Sequence, residues 1–185
     1  MFVLGIDPGL SRCGYGLVEA GSTGPEGRRG RHRAVSAGVL RTEPSDPVPQ
    51  RLTALRDDVR LLLIEHRPDV VAIERVLFQV NVRTAIPVAQ AAGVVMVEAV
   101  SAGCDVAEYS PNQVKQAVSG MGGADKHQVE RMVQTLLGLK TRLRPVDAAD
   151  AVAIALCHLA HAPLHRRVAA AGSGAGAGSG LGGAR

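Results

Sequence analysis

The sequence predicts a single α/β layered domain, a mixed five-stranded sheet flanked by helices. Three observations predict it. Short runs of Val, Ile and Leu end in an acid or a turn, segments between them carry apolar residues at spacings of three and four, and the order is three strands followed by alternating helices and strands. With 185 residues, 46% apolar and 21% charged, the chain can bury one core and is not disordered as a whole.

Phe2-Val3-Leu4-Gly5-Ile6 is closed by Asp7-Pro8-Gly9, so a buried strand ends in a turn with Asp7 at its carboxyl end. Gly14 to Val18 and Ala34 to Thr42 predict two more strands of an antiparallel meander, joined partly by a polar Gly/Arg loop at residues 21–33. Leu52, Leu55, Val59, Leu62 and Leu63 place an amphipathic helix over residues 48–66, ending before Arg67-Pro68, and this helix is the crossover that parallel pairing needs. Val70-Val71-Ala72-Ile73-Glu74 then reads as a strand buried on both faces, again delivering an acid at its end.

Ile86, Ala89, Gly93, Met96, Val97 and Val100 mark the apolar face of the next helix, with Ala89 and Gly93 leaving room for a neighbouring element. Val106 to Tyr109 is a short strand. Ser110-Pro111 is an N-cap followed by proline at the first helical position, so residues 111–118 are helical until Gly120-Met121-Gly122-Gly123 interrupts. Val129, Met132, Val133, Leu136 and Leu137 define a helix starting near residue 125, and a last helix runs from about Pro145 through Ala162. Residues 168–185 are almost wholly Ala, Gly and Ser and are expected to be a disordered tail, leaving 1–167 as the folded domain.

The net charge of +4 and pI near 9.3 allow a polyanionic partner without requiring one. Aromatic content of 2%, with no Trp, argues against a binder that stacks successive bases on an aromatic platform, so any DNA contact is mostly electrostatic and shape-based. Cys13, Cys104 and Cys157 are far apart and lack C-x-x-C spacing, which indicates neither a zinc site nor a disulfide framework. Cys13 lies near Asp7 but has no base to activate it. His127 and His158 have no metal-ligand spacing and are read as surface or locally hydrogen-bonded residues. No signal segment or long apolar span is visible, so a soluble, cytoplasmic protein is expected.

Three segments place acids beside buried runs: Ile6-Asp7, Ile73-Glu74 and Asp147-Ala-Ala-Asp150. Asp147 and Asp150 stand at i and i+3, on one face near a helix start, where an acid is favoured by the helix dipole alone. Taken singly, each acid reads as structural. Together they do not, because parallel pairing of the first and fourth strands sets Asp7 beside Glu74, and carboxylates converging there repel unless a cation joins them. Oxygen ligands suit a hard divalent ion, and two such ions roughly 3.5–4 Å apart can activate water and stabilise a leaving oxygen at a phosphodiester. The residues alone therefore point to a metal-dependent phosphoryl-transfer site.

Gly5-Ile6-Asp7-Pro8-Gly9, Gly14-Tyr15-Gly16, Ala72-Ile73-Glu74, Gln113-Val114-Lys115-Gln116, Ala124-Asp125-Lys126-His127-Gln128-Val129 and Asp147-Ala-Ala-Asp150-Ala-Val-Ala-Ile-Ala follow one another with a spacing that resembles the RuvC family of Holliday junction resolvases, over about residues 1–161. The resemblance implies a ribonuclease H-like fold and a homodimer. It implies a nuclease that nicks two strands of like polarity in four-way junction DNA during recombination and repair, leaving 5′-phosphate and 3′-hydroxyl ends. The acids matching the family's metal ligands are Asp7, Glu74, Asp147 and Asp150. They imply Mg²⁺, two ions per site with Mn²⁺ able to substitute, and no organic cofactor. The RuvA–RuvB branch-migration complex is the implied partner.

Lys115 and Lys126 match family lysines used for activity or DNA contact, and Arg75, Arg83 and Gln90 are read as further phosphate contacts. Family members commonly carry an aromatic three residues after the catalytic Glu. This chain has Leu77 there and Phe78 next to it, and either side chain can act as a wedge into the junction. The loop at 21–33, with Arg28, Arg29, Arg31 and Arg33, looks longer than usual and is read as a solvated charge run.

Two other functions compete. An actin-like ATPase or sugar kinase also opens with a strand ending in an acid, but needs a second domain and a second phosphate loop, for which this chain is too short. A non-catalytic junction-binding module would gain nothing from four clustered acids.

Overall fold

The computed structural model describes residues 1–22, 30–76 and 82–174, with the backbone path alone for 82–84 and 163–174. The chain forms β1 (Phe2–Asp7), β2 (Arg12–Glu19), β3 (Arg33–Arg41), α1 (Val48–His66), β4 (Val70–Glu74), α2 (Val82–Ser101), β5 (Asp105–Tyr109), α3 (Pro111–Ser119), α4 (Lys126–Leu137) and α5 (Val146–Gly174).

The sheet order is β3-β2-β1-β4-β5. The first three strands pair antiparallel, while β1 with β4 and β4 with β5 pair parallel, so the predicted mixed sheet is the observed one. Helix α1 is the crossover from β3 to β4. It ends at Arg67, whose left-handed conformation (φ 42°) lets its N–H donate to the Leu63 carbonyl, and Pro68 forbids a further turn.

Strand alternation sorts the sheet's side chains into two cores. Leu4, Ile6, Cys13, Leu17, Val71 and Ile73 face α1 and α2, where they meet Leu55, Val59, Leu63, Ala91, Ala92 and Val95. Val3, Val18, Val70 and Ala72 face α3, α4 and α5, meeting Val114, Val133, Val152 and Ile154. The central helix α5 runs across β1 and β2 at close range because those strands present glycine to it. A Cβ on Gly5 would collide with the Ala151 carbonyl, one on Gly14 with the Asp147 carbonyl, and one on Gly16 with Val152.

Two expectations are corrected. Helix α2 exists, but the face read as buried is largely its outer one: Ile86, Val97 and Val100 are exposed, no other element among the described residues comes within 4 Å of a Cβ built on Gly93, and Ala85, Ala91, Ala92, Val95 and Ala99 are the residues buried. Helix α2 is apolar all round, so periodicity could not say which side turned inward. Helix α5 also continues through Gly174, past Ala162, while residues 175–185 lie outside the described residues.

Candidate metal centre at the sheet edge

Asp7 and Glu74 arrive by strand geometry. β1 and β4 are in parallel register through Ile6 and Ile73, so the next residue on each strand brings the two acids together at the carboxyl edge. Val3 and Gly5 face α5, as do Val70 and Ala72, and alternation turns Asp7 and Glu74 the same way. Helix α5 supplies the rest. Asp147 lies over Gly14, the pairing partner of Asp7, and Asp150 precedes Ala151, which lies over Gly5. The glycines that allow close helix–sheet packing thus also set the first turn of α5 against Asp7.

The electrostatics couple Asp7 to the other three acids and Glu74 to Asp150. Burial pushes the Asp7 carboxyl up from 3.8 to about 7, helped by the negative charges of Glu74, Asp150 and Asp147 and opposed by Lys126. Glu74 is raised by burial and by Asp150, against Lys115 and Lys126. Asp147 is raised by partial burial, but hydrogen bonding and charge from Arg12 outweigh this and hold it below the ordinary carboxylate value.

The cations have definite seats. Lys126, first residue of α4 after the Asp125 capping box, places its Nζ 2.8 Å from Asp150 Oδ2. Lys115, on α3 behind the Ser110–Gln113 capping box, is close enough to stabilise the charged form of Glu74. Both lysines singled out in the sequence therefore reach the acids. Arg12, at the start of β2, was not singled out. Its Nε donates to Asp147 Oδ2 at 3.0 Å, and its Nη2 donates to the same oxygen. The hairpin register that sets Gly14 beside Asp7 carries Arg12 to the same edge, and that register is the signal that could have found it.

Among the described residues, no three His, Cys, Asp or Glu side chains are arranged to enclose one ion. Asp147 and Asp150 are turned toward Arg12 and Lys126 instead. These pairs are partly exposed, and such ion pairs are typically worth about 1 kcal/mol or less, so releasing the carboxylates to a divalent ion costs little against the repulsion it removes. The donor set fits a hard cation: it is oxygen only and in excess negative charge, with two members raised toward the neutral form.

The other residues fall outside this cluster. Cys13 is buried in the core facing α1 and α2, and burial pushes its thiol up to about 12, which keeps it unreactive. His158 is buried rather than on the surface and shares a 2.9 Å hydrogen bond with Tyr109. Arg75 and Gln90 are exposed. Leu77 and Phe78 lie outside the described residues, and Arg83 lies in the first turn of α2, where the backbone alone is described.

A parallel β1–β4 pair with an acid closing each strand, crossed by a helix that begins with two more, defines the ribonuclease H-like class of nuclease folds. The comparisons with known proteins make this specific. The family model described as crossover junction endodeoxyribonuclease RuvC matches residues 3–158. A crossover junction endodeoxyribonuclease RuvC from Salinispora arenicola is 48% identical over 171 residues, 92% of this chain and 94% of that one. The structure of Thermus thermophilus RuvC superposes with a TM-score of 0.80 at 39% identity, covering 89% of this chain and 97% of that chain. T. thermophilus RuvC in complex with a Holliday junction substrate superposes with a TM-score of 0.78 at 36% identity, covering 89% and 96%. The chain belongs to the RuvC family of crossover junction endodeoxyribonucleases.

Proposed function

We propose that this nuclease resolves Holliday junctions by nicking two strands of like polarity at four-way DNA, with Asp7, Glu74, Asp147 and Asp150 holding two Mg²⁺ ions, which Mn²⁺ can replace. The observation that carries this reading is the convergence of Asp7 and Glu74 at adjacent parallel strand ends beneath the first turn of α5, which carries Asp147 and Asp150. Its relative from T. thermophilus forms a complex with a Holliday junction. Ions bound there would activate the attacking water and take up charge on the leaving 3′ oxygen. Asp7 and Glu74 sit on strands and are fixed, whereas Asp147 and Asp150 can exchange Arg12 and Lys126 for another cation. The displaced Arg12 and Lys126, with Lys115, are then free to meet the phosphates flanking the cut. The ends left are 5′-phosphate and 3′-hydroxyl.

Symmetric cutting needs two active sites, and we infer a homodimer. Support comes from the outer faces of α1 and α2, where the large apolar side chains of Leu61, Ile64, Val97 and Val100 are each 63–69% exposed. Leu77 or Phe78 would serve as the wedge and Arg83 as a phosphate contact. RuvA–RuvB is the partner that family membership suggests. No described helix is long and apolar enough to cross a membrane. A chromosomal substrate places the work in the cytoplasm, carried by the 1–167 domain with 168–185 as its tail.

The test is a synthetic four-way junction with each strand labelled in turn. We expect paired nicks in Mg²⁺, ligatable ends, and binding without cutting in EDTA. Tight binding with no nick at any central sequence in Mg²⁺ would leave a junction-binding module and overturn the nuclease reading.

A further inference from the structure

The segment leading into α5 carries Lys140, Arg142 and Arg144 immediately before Asp147. Arg31, in the stretch before β3, lies against the start of this segment: a Cβ on Gly138 would collide with its guanidinium. Gly138 is the left-handed C-cap of α4 (φ 64°), so Arg31 also sits over the carbonyl end of that helix, where a cation is favoured.

Beneath them lies Glu130, 4% exposed. Its Oε2 has no hydrogen-bond partner among the described residues, yet Arg142 and Arg144 each bring an Nη1 to 3.7 Å from it. A buried carboxylate needs a countercharge, so it holds both arginines in place. At 3.7 Å it does not take up their N–H groups in short hydrogen bonds, and each guanidinium has five donors. Arg144 remains 59% exposed, and neither Arg31 nor Lys140 pairs with an acid among the described residues. Among the described residues, two of these four cations thus share one buried carboxylate and the other two have no acid partner.

We propose that Arg31, Lys140, Arg142 and Arg144 form a second phosphate-binding surface that grips the backbone of a duplex arm beside the cut site, with buried Glu130 as the anchor that sets its shape. The ligand chemistry is a row of phosphodiesters: planar guanidiniums fork onto phosphate oxygens, and closely spaced cations match a regular anionic backbone better than one carboxylate ligand. Chain length limits the reach. Seven residues separate Lys140 from Asp147, at most about 25 Å when extended at ~3.5 Å each. At ~3.4 Å per base pair, the gripped phosphates lie within about seven base pairs of the nick. This surface deepens the reading of the chain as a junction nuclease and rests on it.

The experiment measures four-way junction binding in EDTA across a salt series, for wild type and for the double variant Arg31→Gln/Lys140→Gln. Removal of one cation from a phosphate should weaken binding about eightfold at ~0.1 M salt and reduce the log–log salt slope by about 0.9. The double variant should therefore lose roughly 60-fold in affinity and about 1.8 in slope. Because removing both arginines strands a buried carboxylate, Arg142→Gln/Arg144→Gln is made together with Glu130→Gln and should show a loss of the same order. Methylphosphonate substitution farther along the arm than the phosphates flanking the cut, within about seven base pairs of the nick, should weaken wild type more than either variant. Unchanged affinity and slope in both variants, with wild type binding and cutting normally, would overturn this surface alone. Failure of wild type to bind junctions would overturn it together with the nuclease reading.

Discussion

On the side covered by α5, the central strands present Gly5, Gly14, Gly16, Asp7 and Glu74, while the same strands present Leu4, Ile6, Leu17, Val71 and Ile73 to α1 and α2. The second side is an ordinary aliphatic core in which burial of large side chains supplies the stability. The first gives up side-chain volume for proximity. Glycine beneath α5 lets the helix approach until its first turn stands over the end of β1, and that approach costs stability twice, in lost apolar burial and in gathered like charges. Both sides of the sheet carry an aliphatic core, and the α5 side in addition spends part of its stability on a site. The outer surfaces continue the contrast: α2 shows apolar residues to solvent, whereas the segment entering α5 shows Lys140, Arg142 and Arg144.

The largest effect expected from breaking this contrast is on chemistry. Glu74→Gln keeps the shape of the α5 side and removes one charge from it. Metal stabilisation of the transition state is worth several kcal/mol, so single-turnover junction cleavage should fall roughly a thousandfold or more while binding in EDTA stays within about twofold. Cleavage within tenfold of wild type would remove Glu74 from the site.

Next comes the close approach itself. Gly5→Ala pushes a methyl group against the backbone of Ala151 and Ala155, with the Ala155 nitrogen at 2.7 Å, and main chain on both sides cannot yield cheaply. Urea unfolding should show a loss of about 3 kcal/mol or more. Val97→Ser on the outer side of α2 should change the monomer's stability by less than about 0.5 kcal/mol while weakening self-association. Equal losses of folding stability for the two variants would mean that the two regions do not differ as described.

The remaining effect appears only toward the alkaline end of the pH range. Asp7 titrates near 7 folded against an ordinary 3.8, so its protonated form favours the fold. The stability this lends is complete below about pH 4 and is lost as pH rises through about 7. Asp7→Asn in metal-free buffer should therefore be more stable than wild type at pH 8, by up to about 4 kcal/mol at ~1.4 per unit, and the advantage should fade by pH 4. A constant difference in thermal midpoint between pH 4 and pH 8 would assign the effect to packing.

Asp7 and Glu74 were legible in sequence because each closes an apolar run, and Asp147 and Asp150 because they stand where the apolar stretch of α5 begins; a charge beside continuous burial stands out against the hydrophobic pattern. The parallel pairing of the first and fourth strands followed from the crossover α1. Three features were not legible. The inward side of α2 depends on which small residues fit beneath α1, and alanine and valine surround that helix. The pairing of Arg12 with Asp147 depends on hairpin register and rotamer. Glu130 as an anchor is hidden because a lone Glu in an amphipathic helix looks solvated until Arg142 and Arg144 fold back over it.

The central claim is that four carboxylates from β1, β4 and α5 act as one ligand set for divalent ions. Calorimetric titration of Mn²⁺ into wild type and Asp7→Asn at pH 7 tests it without DNA or turnover. Wild type should bind with proton release, because Asp7 is about half protonated near its pKa of about 7, and the variant should bind much more weakly with that proton release gone. Equal affinity and equal proton release in the two proteins would contradict it.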